Sequence, residues 1–111
     1  MDMDKLYIAL STHEIGRTVE DYSRRLGVPP CVHVPGQYAL WRTECLNFSV
    51  RRDFAEQPGV LRHLGWEDAD AAEFSEDRDV NGIVWERFSA QQQAAEIREI
   101  WPEVDYRPDE A

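Results

Sequence analysis

The sequence predicts an α+β domain, and three observations carry that prediction. Apolar residues alternate with polar ones, at the spacing of a strand, around residues 5–11, 45–52, 60–67 and 81–89. They recur at helical spacing in two other stretches, 14–27 and 90–101. The chain of 111 residues is long enough for one domain with one modest core.

KLYIALS, residues 5–11, sets Leu6, Ile8 and Leu10 on one face and Lys5, Tyr7 and Ala9 on the other. In EIGRTVEDYSRRLG, residues 14–27, the residues Ile15, Val19, Tyr22 and Leu26 fall on one helical stripe. Thr12 is the expected cap, Gly27 the stop, and Pro29-Pro30 forbids further helix. CVHVPGQYALWRT, 31–43, reads as two short strands about a Pro35-Gly36 turn. CLNFSVRR, 45–52, alternates again, with Cys45, Asn47 and Ser49 opposite Leu46, Phe48 and Val50. The first half thus reads strand, helix, then three strands. VLRHLGWE, 60–67, is a further strand, with His63, Gly65 and Glu67 on one face and Leu64 and Trp66 on the other. The acidic DADAAEFSEDRD, 68–79, has room only for a short helix. NGIVWERFS, 81–89, is a strand, and AQQQAAEIREIW, 90–101, is a helix with Ala94, Ile97 and Trp101 on one side. Residues 1–103 are expected to form the domain and 104–111 a frayed acidic tail.

A formal net charge of −10 repels a nucleic acid backbone or an anionic membrane and favours a cationic ligand or a basic partner. Neither an apolar run of bilayer length nor a signal-peptide pattern at MDMDKLYIAL is present, so a cytoplasmic protein is expected. Cys31 and Cys45 form no CxxC or zinc-type cluster and read as two buried, reduced thiols.

KLYIALS, GRTVEDYSRRLGV, CLNFSV, LRHLG and NGIVWERF together resemble the vicinal oxygen chelate superfamily, which includes glyoxalase I, bleomycin-resistance proteins and extradiol dioxygenases. The nearest resemblance is to its cadmium-induced and arsenic-resistance lyase branch. It implies a βαβββ module at 5–52 and a truncated second module at 60–101, since a strand and most of a helix are missing between 67 and 81. It further implies a mixed curved sheet with helices on one side. Two such modules form a cup around a divalent metal, held by a histidine from the first strand of each module and a glutamate from a last strand. Carried onto this chain, those positions are His63, Glu86 and, in place of the first histidine, Tyr7.

Imidazole and carboxylate suit Zn, Ni, Mn or Fe(II), whereas a phenol is an uncommon ligand. The expectation is therefore no cofactor, or a divalent metal bound weakly. Tyr7, Asn47 and Trp85 are expected to line the cup, with Glu86 as the candidate acid–base group. Each residue also has a plain structural reading: His63 bonded to a neighbouring carboxylate or backbone, Glu86 paired with an arginine, and Tyr7 packed on the sheet. Three functions follow from the resemblance. They are a small-molecule binder with a degenerate metal site, a metal-dependent lyase or dioxygenase using His63 and Glu86, and an acidic protein-interaction module. Whether the chain is an enzyme stays open. Open sheet edges in a truncated module would invite a homodimer.

Overall fold

The computed structural model describes residues 4–108. Seven strands and two helices follow in the order β1 (Lys5–Thr12), α1 (Ile15–Leu26), β2 (Val32–Val34), β3 (Tyr38–Arg42), β4 (Leu46–Arg52), β5 (Leu61–Glu67), β6 (Ser75–Arg78), β7 (Val84–Phe88) and α2 (Ala90–Ile100). The strands form one mixed sheet in the order β2-β3-β4-β1-β5-β7-β6.

Each half of that sheet repeats one arrangement. The first strand lies parallel to the last, β1 to β4 and β5 to β7, and the strand before the last lies antiparallel outside it. The halves join through the antiparallel pair β1–β5. Among the described residues the second half has no counterpart of α1 or β2. Its connection from β5 to β7 holds β6 where a short helix was expected, because Ser75–Arg78 is drawn into pairing by β7 without an apolar residue of its own.

Alternation along β3 and β4 decides where the helices sit. Ala39, Trp41, Phe48 and Val50 meet Ile15, Val19, Tyr22 and Leu26 of α1 on one face. Tyr38 and Leu40 meet Ile97 of α2 on the other. Asn47, next to Phe48 in the chain, likewise bonds to Gln93 of α2 while Phe48 packs on Tyr22 of α1. The helices therefore cover opposite faces, which corrects the expectation that both lie on one side. Trp41 is fully buried and is the largest side chain of the α1 layer, a burial contributing about 2–3 kcal/mol.

Smaller expectations also change. The cap of α1 is Glu14, and Thr12 instead accepts from the Glu14 N–H through its hydroxyl at 3.2 Å. A reciprocal capping box between Ser89 and Gln92 starts α2. Both cysteines are free and exposed rather than buried, since each lies just outside a strand. Val104 and Tyr106 pack on the β2–β3 cluster, so the start of the acidic tail is tied down; residues 109–111 lie outside the described residues. Among the described residues no helix is long and apolar enough to cross a membrane.

Candidate functional site

The face of the sheet beneath α2 carries Tyr7, His63 and Glu86. Tyr7 of β1, Gly65 of β5 and Glu86 of β7 form one row across three strands. His63 lies two residues back from Gly65, on the same face. A side chain at Gly65 would collide with the Glu86 carbonyl. Glycine therefore lets β5 and β7 approach closely and keeps the space above the row open.

That space is a cavity of about 130 Å³ between the sheet and α2. Tyr7, Tyr38, Ser49 and Phe88 lie on the sheet side, and Glu96, Ile97 and Trp101 close it from the helix. His63 and Glu86 stand at one end, with Nε2 and Oε2 3.9 Å apart, too long for a hydrogen bond. Arg51 and Arg62 also line it, and the Arg51 guanidinium sits 5.4 Å from the Trp101 ring centroid. Tyr7 packs edge-on against Phe88, with ring centroids 4.8 Å apart. Ser49 lines the same cavity beside Tyr7 and Tyr38.

Burial sets the protonation states here. It pushes the Glu86 carboxyl up to about 7, reinforced by the nearby carboxylates of Glu96 and Glu76 and opposed by Arg62. Burial, then Arg62, holds the His63 imidazole below its ordinary value, so the ring is neutral near pH 7. Tyr7 is raised by burial and then by Glu86, and it keeps its proton. The Nδ1 atom of His63 is buried without a hydrogen-bond partner among the described residues. Such an orphan atom marks a site whose polar groups the protein itself does not fully satisfy. Chemically, the cavity offers one carboxyl able to give or take a proton near neutrality, a neutral imidazole and two phenols.

The donor set fits a metal poorly. His63 and Glu86 supply two donors on adjacent strands, and the third position holds a phenol that burial keeps protonated. Among the described residues there is no group of three or more His, Cys, Asp or Glu side chains that could hold a metal ion.

The structure thus brings together three of the five residues singled out from sequence: Tyr7, His63 and Glu86. Asn47 is on the same face but is fully buried beside the cavity rather than lining it. It donates to Glu67 at 2.8 Å and to Gln93 at 2.7 Å, while Gln93 donates back at 3.1 Å. Glu67 in turn takes a two-pronged pair from Arg42, at 2.8 and 2.9 Å. Trp85 is on the opposite face, because it neighbours Glu86 in a strand, and its indole N–H donates to Asp79 at 2.9 Å. Sequence reasoning missed Tyr38, Ser49, Arg51, Arg62 and Glu96. Ser49 and Arg51 share the parity of Asn47 along β4, a signal that was present; Glu96 depends on how α2 docks, which no local pattern encodes.

No protein-family model matches this chain, and no curated protein matches it. Among solved structures, it is similar to an NAD-dependent benzaldehyde dehydrogenase from Legionella pneumophila, at TM-score 0.53 and 10% identity over 76% of this chain and 97% of that one. It is also similar to a hypothetical protein from Staphylococcus aureus, at TM-score 0.56 and 10% identity over 78% of this chain. It spans 34%, about a third, of the Staphylococcus chain. At such low identity both likenesses concern the fold alone.

Proposed function

We propose that this chain is a small-molecule-binding protein of the glyoxalase, bleomycin-resistance and dioxygenase kind, with a degenerate metal site. The observation that carries the reading is the convergence of Tyr7, His63 and Glu86 on one cavity of about 130 Å³ under α2. Support also comes from the repeated strand arrangement in the two sheet halves, the second lacking the helix and strand that a full module would have. The ligand is small, contacts aromatic rings, and meets both donors and acceptors. A cationic ligand draws support from Glu86 and Glu96, and Arg51 and Arg62 limit that preference.

The test is a thermal-shift screen of small molecules on the purified protein, preceded by metal analysis and titration with Zn, Ni, Mn and Fe(II). We expect substoichiometric metal and a ligand that raises Tm in wild type and fails to do so in Glu86→Gln. Stoichiometric metal that disappears in His63→Ala would replace this reading with the metal-dependent lyase or dioxygenase. That second reading rests on the adjacency of His63 and Glu86, 3.9 Å apart.

A further inference from the structure

Among the described residues the sheet ends at β6, with no strand beyond it. All four residues of that strand are exposed. The Asp79 N–H donates to the Ile83 carbonyl at 3.0 Å. Antiparallel alternation from that pair directs the backbone groups of Asp77 and Ser75 toward β7 and those of Glu76 and Arg78 away from the sheet. An edge with outward N–H and C=O groups is a template for one more strand.

Beside this edge, on the face opposite the cavity, a groove passes over Trp66 and Trp85. Among the described residues no helix covers this part of the sheet; α1 packs on β3 and β4. Asp77 stands directly across from Trp85. Asp4, Asp68 and Asp79 stand near the groove; Arg87, which lines it, is committed to Asp68 at 2.6 Å and Asp4 at 3.4 Å, and Arg78 of β6 donates to the Gly82 carbonyl at 2.9 Å. Both indoles are half-buried, so ring surface stays accessible. Apolar ring faces flanked by carboxylates attract ammonium and guanidinium groups. A chain of net charge −10 adds long-range attraction for a basic partner and repulsion for a second copy of itself.

We propose that the β6 edge and the Trp66–Trp85 groove together bind an extended basic peptide segment. The peptide adds a strand to β6 through the backbone of Glu76 and Arg78. Its alternate lysine or arginine side chains lie on the Asp77 side. A new strand would sit about 5 Å beyond β6, and a lysine or arginine stem is long enough to pass Asp77 toward the Trp85 ring. This surface is separate from the cavity under α2, so neither proposal depends on the other.

The test is titration of the full chain with a blocked ten-residue peptide alternating lysine and valine, read by tryptophan fluorescence and calorimetry. Two control peptides accompany it: one with glutamate for lysine, and one N-methylated at alternate residues on the edge it would present. We expect saturable binding of the basic peptide that weakens with salt, none of the acidic peptide, and at least about tenfold weaker binding of the N-methylated one. Asp77→Lys should weaken binding by about tenfold or more. Glu76→Pro, which removes an outward N–H and spares the β6–β7 bonds, should do the same. Circular dichroism of both variants separates lost binding from lost folding. No binding at about 1 mM peptide would overturn the proposal. So would equal binding of the N-methylated peptide. Sedimentation showing a dimer that Glu76→Pro dissociates would assign the edge to a second copy instead.

Discussion

Two polar clusters share one face of the sheet and behave in opposite ways. At one, Arg42, Glu67, Asn47 and Gln93 satisfy one another in a continuous chain of charge-assisted and amide bonds from β3 through β5 and β4 to α2. At the other, His63 and Glu86 stand 3.9 Å apart, with one imidazole nitrogen buried and unpartnered. Both clusters draw on β5 and both face α2. The difference teaches which is structure and which is site. A buried polar network is retained for stability when every member is satisfied, and a half-satisfied one is costly unless something else completes it. Burial alone would raise the Glu67 carboxyl, but its bonds to Arg42 and Asn47 outweigh that and hold it below the usual range. Glu86 has burial without such bonds and moves the other way.

The largest break in this comparison is expected at the satisfied cluster. Glu67→Ala leaves Arg42 with its charge unpaired and strips Asn47 of an acceptor. Removing one partner of a largely buried pair costs about 3–5 kcal/mol, and urea denaturation would read it. His63→Ala at the other cluster removes no hydrogen bond and should cost less than about 1.5 kcal/mol. Equal losses from the two variants would erase the distinction.

A smaller effect sharpens where the two clusters meet. Gly65→Ala would drive its Cβ into the Glu86 carbonyl, so β5 and β7 must separate at the row that holds the site. The expected cost is about 1–3 kcal/mol, with faster amide exchange along β7. If exchange in β7 stays at the wild-type rate, the close approach is not what glycine provides there.

Much of this architecture was legible, and the reasons differ by element. β1, β4 and β5 each have one face toward α2 and its cavity and one against apolar neighbours, so period-two alternation marks them. Ile15, Val19, Tyr22 and Leu26 mark α1 for the same reason at the helical period. β6 was not legible, because Ser-Glu-Asp-Arg has no apolar residue and becomes a strand only through β7 beside it. In the site, His63 and Glu86 meet because β5 and β7 run parallel in a register that sets Gly65 against Glu86. Asn47 has the right parity but is closed off by Gln93 of α2, a tertiary contact that the strand pattern cannot carry. Trp85 fails by parity alone, and counting from Glu86 would have excluded it.

The smallest effect tests protonation. Because burial, helped by Glu96 and Glu76, lifts Glu86 to about 7, the folded protein binds more protons than the unfolded chain from the ordinary carboxyl value of about 4.3 up to that pH. The stability this confers is complete below the window and is lost as pH rises through about 7. His63 runs in the opposite sense: its lowered value favours the neutral ring, so its contribution is present above about 6.5 and lost as pH falls. Glu86→Gln fixes the neutral amide and isolates the first of these. The variant should match wild type near pH 4 and exceed it at pH 8, with the gap opening between about 4.3 and 7. A difference between the two proteins that stays constant from pH 4 to 8 would mean that Glu86 titrates as an ordinary carboxylate. The unsatisfied cluster would then lose its one group able to exchange a proton near neutrality. The binding reading would stand on shape and aromatic contact alone.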